Sequence, residues 1–212
     1  MQISWHGLSC FSLTAQTGSG EVSFVVDPYQ NETGLRFPRT LTADLIAVSH
    51  KGDDADNVEA VGETSHGKPF VIDLPGEYEV KGIFVHAIDA GEGQRILQIE
   101  VEGIRMVHLG ALSRDLTDKD LDLLGNVDIL FVPVGGGRVM SPKMASEVIS
   151  QVEPRIVIPY DYAIDGLKEN FQPIDSFCKA LGVCNREDVN KLKIVRKNLP
   201  EDKMVIYVLN RD

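Results

Sequence analysis

Short apolar runs broken by polar or glycine-containing turns fill the first 110 residues, which is the pattern of half-buried strands rather than of helices. The runs predict strands at Gln2–Trp5, Phe11–Thr14, Val22–Val26, Leu45–Ser49, Phe70–Ile72, Ile83–Ile88, Ile96–Val101 and Ile104–His108. Turn signals separate many of them: Gly18-Ser19-Gly20, Lys81-Gly82, Gly91-Glu92-Gly93 and Glu102-Gly103. The last has the two-residue length of a tight hairpin. Beyond residue 110 the period changes. Thr117 can cap a helix carrying Leu121 and Leu124, and Val127–Val132 is a strongly apolar strand. Ser141-Pro142 reads as cap and first-turn proline, followed by Ala145, Val148, Ile149 and Val152 at helical spacing. Arg155–Pro159 returns as a strand, Pro173 opens a helix that stops at Gly182, and Met204–Leu209 closes the chain as a strand.

Strand-rich segments with a few helices predict two packed sheets with helices outside, an αββα arrangement over residues 1–212 as one domain. The strands at 127–132 and 155–159, joined by a helix, are expected to lie parallel. In such a layout functional loops gather where strands end.

Composition narrows the function classes. The chain of 212 residues is 43% hydrophobic and 25% charged, as ordinary globular proteins are. Its net charge of −11, without a basic stripe, sets a repulsive field against nucleic acid. No apolar run approaches the ~20 residues that cross a bilayer, and no export leader is visible, so no membrane association and a cytoplasmic location are expected. Cys10, Cys178 and Cys184 are odd in number and lack Cys-x-x-Cys spacing. They are expected to be small core fillers rather than a disulfide framework or metal ligands.

The chemistry-bearing segment is His50-Lys51-Gly52-Asp53-Asp54-Ala55, directly after the buried-looking run ending at Ser49. In order along the chain come Trp5-His6-Gly7-Leu8-Ser9-Cys10-Phe11, Val25-Val26-Asp27-Pro28-Tyr29, Thr42 through His50, Pro75-Gly76-Glu77-Tyr78-Glu79-Val80, His108-Leu109-Gly110, Val132-Pro133-Val134-Gly135-Gly136 and Ile158-Pro159-Tyr160-Asp161-Tyr162. This set resembles the metallo-β-lactamase superfamily, in particular the small metal-dependent (Zn-dependent) hydrolases near the ascorbate-6-phosphate lactonase group. The resemblance implies the αββα four-layer metallo-β-lactamase sandwich and a two-metal hydrolytic centre. In that family a loop of the form His-x-His-x-Asp-His, a later histidine, a bridging aspartate and a histidine near the C-terminus hold the two ions, which activate a shared water.

Carried onto this sequence, most ligands are missing. His50 and Asp54 stand in the loop, but its second and last histidines are Gly52 and Ala55. The bridging aspartate is Ala111, the C-terminal histidine is Asp161, and residues 89–92 offer no histidine. The family's Gly-His pair reads Gly7-Leu8, with His6 on the other side of the glycine. The expectation is a degenerate member without the dinuclear centre, serving as a binding or regulatory module for a small molecule or protein, with no cofactor. The alternative is a hydrolase of a small ester, lactone or phosphorylated metabolite. It would use a metal-free site or a single divalent ion on His50, Asp54 and Asp161, carboxylate-rich and so suited to Mg²⁺, Mn²⁺ or Ca²⁺.

Beyond those three, the expected pocket includes His6, Asp27, Lys51 and Asp53. Asp27 is expected to support the loop by hydrogen bonding, and Lys51 to neutralise neighbouring carboxylates in place of a metal. His50 could serve as a base if a serine such as Ser49, Ser9 or Ser113 were aligned with it. Gly135-Gly136-Gly137 is expected to let backbone pass close to the pocket floor, His108 to be a structural residue beside the pocket, and relatives' habits suggest a homo-oligomer.

Overall fold

Side chains that alternate along each strand divide between two apolar clusters, and that division builds the molecule. The structure, a computed structural model, describes residues 1–182, 184 and 186–212. The first half supplies β1 (Gln2–Gly7), β2 (Cys10–Thr17), β3 (Gly20–Val26), β4 (Leu45–Ala47) and β5 (Phe70–Ile72). Then come β6 (Gly76–Val80), β7 (Ile83–Gly91), β8 (Gln94–Val101), β9 (Ile104–His108), β10 (Ile129–Pro133), β11 (Ile156–Tyr160), β12 (Arg186–Val189), β13 (Leu192–Lys193) and β14 (Val205–Leu209). One sheet runs β13-β1-β2-β3-β4-β5, the other β12-β14-β11-β10-β9-β8-β7-β6. The expected parallel pair is present, with Ile129 opposite Ile156 and Pro133 opposite Tyr160.

Inward side chains of both sheets, among them Phe11, Phe24, Leu45, Val85, Ile99 and Phe131, form the main core. Among the described residues the α-helices are α1 (Asp118–Leu124), α2 (Pro142–Val152) and α3 (Ile174–Leu181). They bury Leu124, Ala145, Val148, Ile149 and Phe177 in the same core. Thr117 and Asp120 close a reciprocal capping box on α1, and Ser141 accepts the Met144 amide to start α2. The outer face of the six-stranded sheet carries short 3₁₀ turns and loops instead of long helices. Its Cys10, Val25 and Ile46 pack there with Leu8, Tyr29, Leu35 and Phe37.

Two differences from the sequence reading concern edges and cysteines. β6, β12 and β13 were not foreseen: all three are edge strands, exposed Glu77 and Glu79 in β6 and Glu187 and Asp188 in β12 hide the strand pattern, and β13 is only Leu192–Lys193. Cys178 and Cys184 are not core fillers. Gly182, at φ +84°, turns the chain after α3 and brings their Cα atoms to 5.2 Å, where they form a disulfide, both half-buried. Cys10 is free and buried.

Strand ends set the site. β3 and β4 are parallel neighbours in one sheet, and β9, β10 and β11 are parallel neighbours in the other. Asp27, Ser49-His50, Gly110, Gly135 and Asp161 follow the carboxyl ends of those strands.

Candidate active site

A continuous chain of hydrogen bonds begins at Asp27, which is fully buried in a left-handed backbone conformation (φ +48°). Its carboxylate accepts the Ser49 amide at 2.6 Å and the Ser49 hydroxyl at 2.6 Å. Asp27 thus holds Ser49 by two hydrogen bonds. The Ser49 Oγ lies 2.8 Å from His50 Nδ1, and His50 Nε2 lies 2.9 Å from Asp54 Oδ2. A hydroxyl has one proton; with that proton on Asp27, Oγ can only accept from Nδ1–H. Nε2 faces a carboxylate oxygen, so it donates too. Both ring nitrogens are donors, and the arrangement selects the imidazolium. Burial alone would lower the His50 pKa, but the Asp54 hydrogen bond and the charges of Asp27, Asp54 and Asp161 outweigh it and raise the pKa.

Asp54 ends the relay on a cation that sequence reading missed. Arg138 Nη1 lies 2.7 Å from Asp54 Oδ2, the same oxygen that meets His50. Its Nε lies 3.5 Å from Glu169, and its guanidinium stacks 5.3 Å above the Phe171 ring. Burial would raise the Asp54 pKa, but His50 and Arg138 hold the carboxyl below its usual range. Lys51, expected in this role, is exposed and makes no ion pair within 4 Å among the described residues. The neutralising charge comes from another strand end. Gly135 makes that possible: a Cβ there would run into the Asp161 carbonyl and the Phe171 ring, so only glycine lets this loop cross the end of β11 and return Arg138 to the pocket. Of the expected close passage of Gly135-Gly136-Gly137, only Gly135 lies tight against other backbone, and Gly137 has open space. The available signal was a cation directly after a glycine run at a strand end.

Asp161, at the end of β11, acts on Arg138 by its charge. It is 2% exposed, in a left-handed conformation at φ +52°, and its Oδ1 has no hydrogen-bond partner among the described residues. Burial lifts its pKa to about 7, opposed by Arg138 and His50 and reinforced by Asp54 and Asp27. Burial likewise lifts Asp27 to about 6, with His50 and Ser49 pulling the other way. Asp27, Asp54 and Asp161, with Glu169 on Arg138, outnumber the two cations, and a retained proton on a raised acid lowers that excess.

The remaining sites settle as follows. Asp53 is exposed at the rim, where it lines a cavity of about 250 Å³ with Leu8, Thr33, Asp54, Arg138 and Lys168. His6 is buried, bonded through Nε2 to Ser12 Oγ at 2.8 Å, and stands outside the relay. His108 donates Nε2–H to the Ser9 carbonyl at 3.0 Å, accepts the Gly110 amide at Nδ1 and stacks on Tyr160 at 4.8 Å. Burial pushes its pKa down to about 3, so it is a neutral structural histidine, as expected. Ser49 is aligned with His50 but wholly buried, closed to a substrate.

At the positions where the resemblance places metal ligands, small residues are packed rather than vacant. Ala55 is fully buried, and Ala111 packs with Leu8, Val139 and Phe171. A Cβ on Gly52 would come within 2.7 Å of Asp54 Oδ1, at a backbone φ of +155°. Among the described residues no three His, Cys, Asp or Glu side chains are grouped to hold an ion.

Comparison with known proteins places the chain. Residues 2–161 match the model of the beta-lactamase superfamily domain. The UPF0173 metal-dependent hydrolase of Thermoplasma acidophilum is 27% identical over 195 residues, covering 76% of this chain and 83% of its own. A UPF0173 protein of Pyrococcus furiosus is 28% identical over 184 residues, with the same shares covered. Among solved structures, a Thermotoga maritima protein described as an inferred Zn-dependent hydrolase of the metallo-β-lactamase superfamily superposes with a TM-score of 0.80. It is 31% identical, over 99% of this chain and all of that one. Several of the relatives it matches are named metal-dependent hydrolases, and this chain belongs to the metallo-β-lactamase superfamily.

Proposed function

We propose that the chain is a non-hydrolytic member of its superfamily, a binding or regulatory module built on a former hydrolase site. The observation that carries this reading is the 2.7 Å contact of Arg138 with Asp54, the one loop carboxylate left at the second-metal position of the family pattern. The donors present do not suit two zinc ions. Each catalytic zinc takes about three nitrogen, sulfur or oxygen ligands plus water. Here His50 donates through both nitrogens and has no lone pair to offer, Asp54 is engaged by two cations, and Ala55 and Ala111 offer nothing. Removal of the metal's charge without replacement would leave buried carboxylates unpaired, which is costly. Arg138 and protonated His50 supply that charge from within. A small polar molecule at the cavity beside Arg138 is the ligand class that fits the opening.

The relatives' names favour a second reading, hydrolysis of a small ester, lactone or phosphorylated metabolite. The test is metal analysis of protein purified without chelator, together with turnover of ester, lactone and phosphoester panels. The expected result is less than one tightly held ion per chain and no turnover above that of a His50→Ala variant. Saturable turnover abolished by His50→Ala would overturn the proposal.

A further inference from the structure

One buried charge stands outside the relay. Arg95, near the start of β8, is 6% exposed, yet among the described residues no carboxylate pairs with it. Its Nε donates to the Val48 carbonyl at 2.8 Å and its Nη1 to the Gly93 carbonyl at 3.4 Å. Its buried Nη2 meets no partner among the described residues. We propose that Arg95 is the floor of a binding site for the oxyanion group of a small molecule, a carboxylate or a phosphate, covered here by the hairpin turn between β7 and β8.

A guanidinium cannot shed its charge to suit a buried setting. Without a counter-ion such a charge is costly, and two carbonyls, one of them at the long limit of a hydrogen bond, offset little of that cost. An oxyanion matches the missing partner in sign and in shape. Two of its oxygens can accept parallel N–H bonds from one guanidinium fork, each about twice as strong as a bond between neutral groups.

A second guanidinium reaches the same turn. Arg114 Nη2 donates to the Ala90 carbonyl at 3.2 Å, while its Nη1 is held by Asp120 at 2.7 Å. Arg95 and Arg114 therefore grip the carbonyls on either side of the turn. The turn itself is lightly held. Gly91, Glu92 and Gly93 are exposed, all at positive φ (+85°, +54° and +74°), and a Cβ on either glycine would meet nothing within 4 Å. Shifting it gives up two long hydrogen bonds and no packed side chain, and an anion on the two arginines replaces both bonds. Asp89 and Glu92 are the acids beside it. Both are exposed, where water and salt screen them, whereas Arg95 is buried.

The site adjoins the relay without belonging to it. The Arg95 amide donates to the Ser49 carbonyl at 2.7 Å, directly before His50. The lining of the cavity beside Arg138 does not include Arg95, so this inference stands independently of the functional reading above.

The experiment is calorimetric titration of the full chain with sodium phosphate and, separately, sodium acetate, against sodium chloride at matched ionic strength. Backbone amide chemical shifts locate the bound ion. Wild type should bind one phosphate or acetate per chain, saturably, with the largest shifts between Gly91 and Arg95. The ion that binds more tightly identifies the head group as phosphate or carboxylate. With that ion at about 100 times its dissociation constant, the melting temperature should rise by ~5–10 °C. Arg95→Lys keeps the charge and loses the fork, so its dissociation constant should rise about 10-fold or more. Arg114→Gln should also weaken binding and stands in if the Arg95 variant does not fold. Saturable binding of neither ion would overturn the proposal, as would binding unchanged in the folded variants. Binding lost in Arg138→Gln, with shifts at Lys168 rather than Gly93, would place the ion in the other cavity; that too overturns this proposal and leaves the functional reading untouched.

Discussion

Asp161 is the residue whose surroundings contradict its chemistry most. An aspartate in water releases its proton near pH 3.9, whereas burial here moves that point to about 7. Between about pH 4 and 7 the unfolded chain has lost this proton and the folded chain still binds it. Folding then takes up a proton, and this residue's contribution to stability falls as pH rises through that window. Asp161→Asn should flatten that slope and raise stability at pH 8 by about 2–4 kcal/mol, measured by urea denaturation at several pH values. Asparagine also tolerates the left-handed conformation at φ +52°. An unchanged slope would remove Asp161 as its source. Sequence showed which residue stood at this position but not its environment. The residue that neutralises the group was illegible for a related reason. Lys51 is a neighbour of the loop in sequence but points to solvent, while Arg138, 84 positions after Asp54, is carried in by a crossing of backbone.

At the scale of elements, the loop after β10 depends on one missing methyl group. Gly135→Ala would push a Cβ into the Asp161 carbonyl and the Phe171 ring. Backbone cannot yield cheaply, so we expect a loss of about 3 kcal/mol or more in chemical denaturation. A milder change, Ser141→Ala, removes the side chain that accepts the Met144 amide at the start of α2. It should cost about 1 kcal/mol and leave the Arg138 contact intact. If both variants were equally stable, the glycine crossing would not be what places Arg138. Most elements were legible because apolar alternation and caps are local signals: β5 and β9 were bounded as observed, and Thr117 and Ser141-Pro142 marked the starts of α1 and α2. The edge strands were not, because a strand such as Arg186–Val189 is charged on the side where pairing stops and reads as a loop.

For the whole molecule, two sheets share one apolar core built from the inward side chains of both. Many small metal sites are folding sites as well, and chelators unfold their owners. Here the melting temperature should be unchanged by excess chelator, within about 1 °C, in differential scanning calorimetry. A large drop would mean that an ion contributes to the fold. The fold itself was recoverable from motif order, since it depends on many dispersed apolar positions, whereas the state of its centre depended on contacts between distant strand ends. Under the metal-free reading proposed above, Arg138 also changes the molecule's dealings with the cell. An imidazole and carboxylate centre must compete for the right ion, because such sites favour copper over manganese or iron whatever the chemistry requires. A charge delivered by translation cannot be mismatched, stripped or starved, and every copy of the chain leaves the ribosome with its centre already furnished.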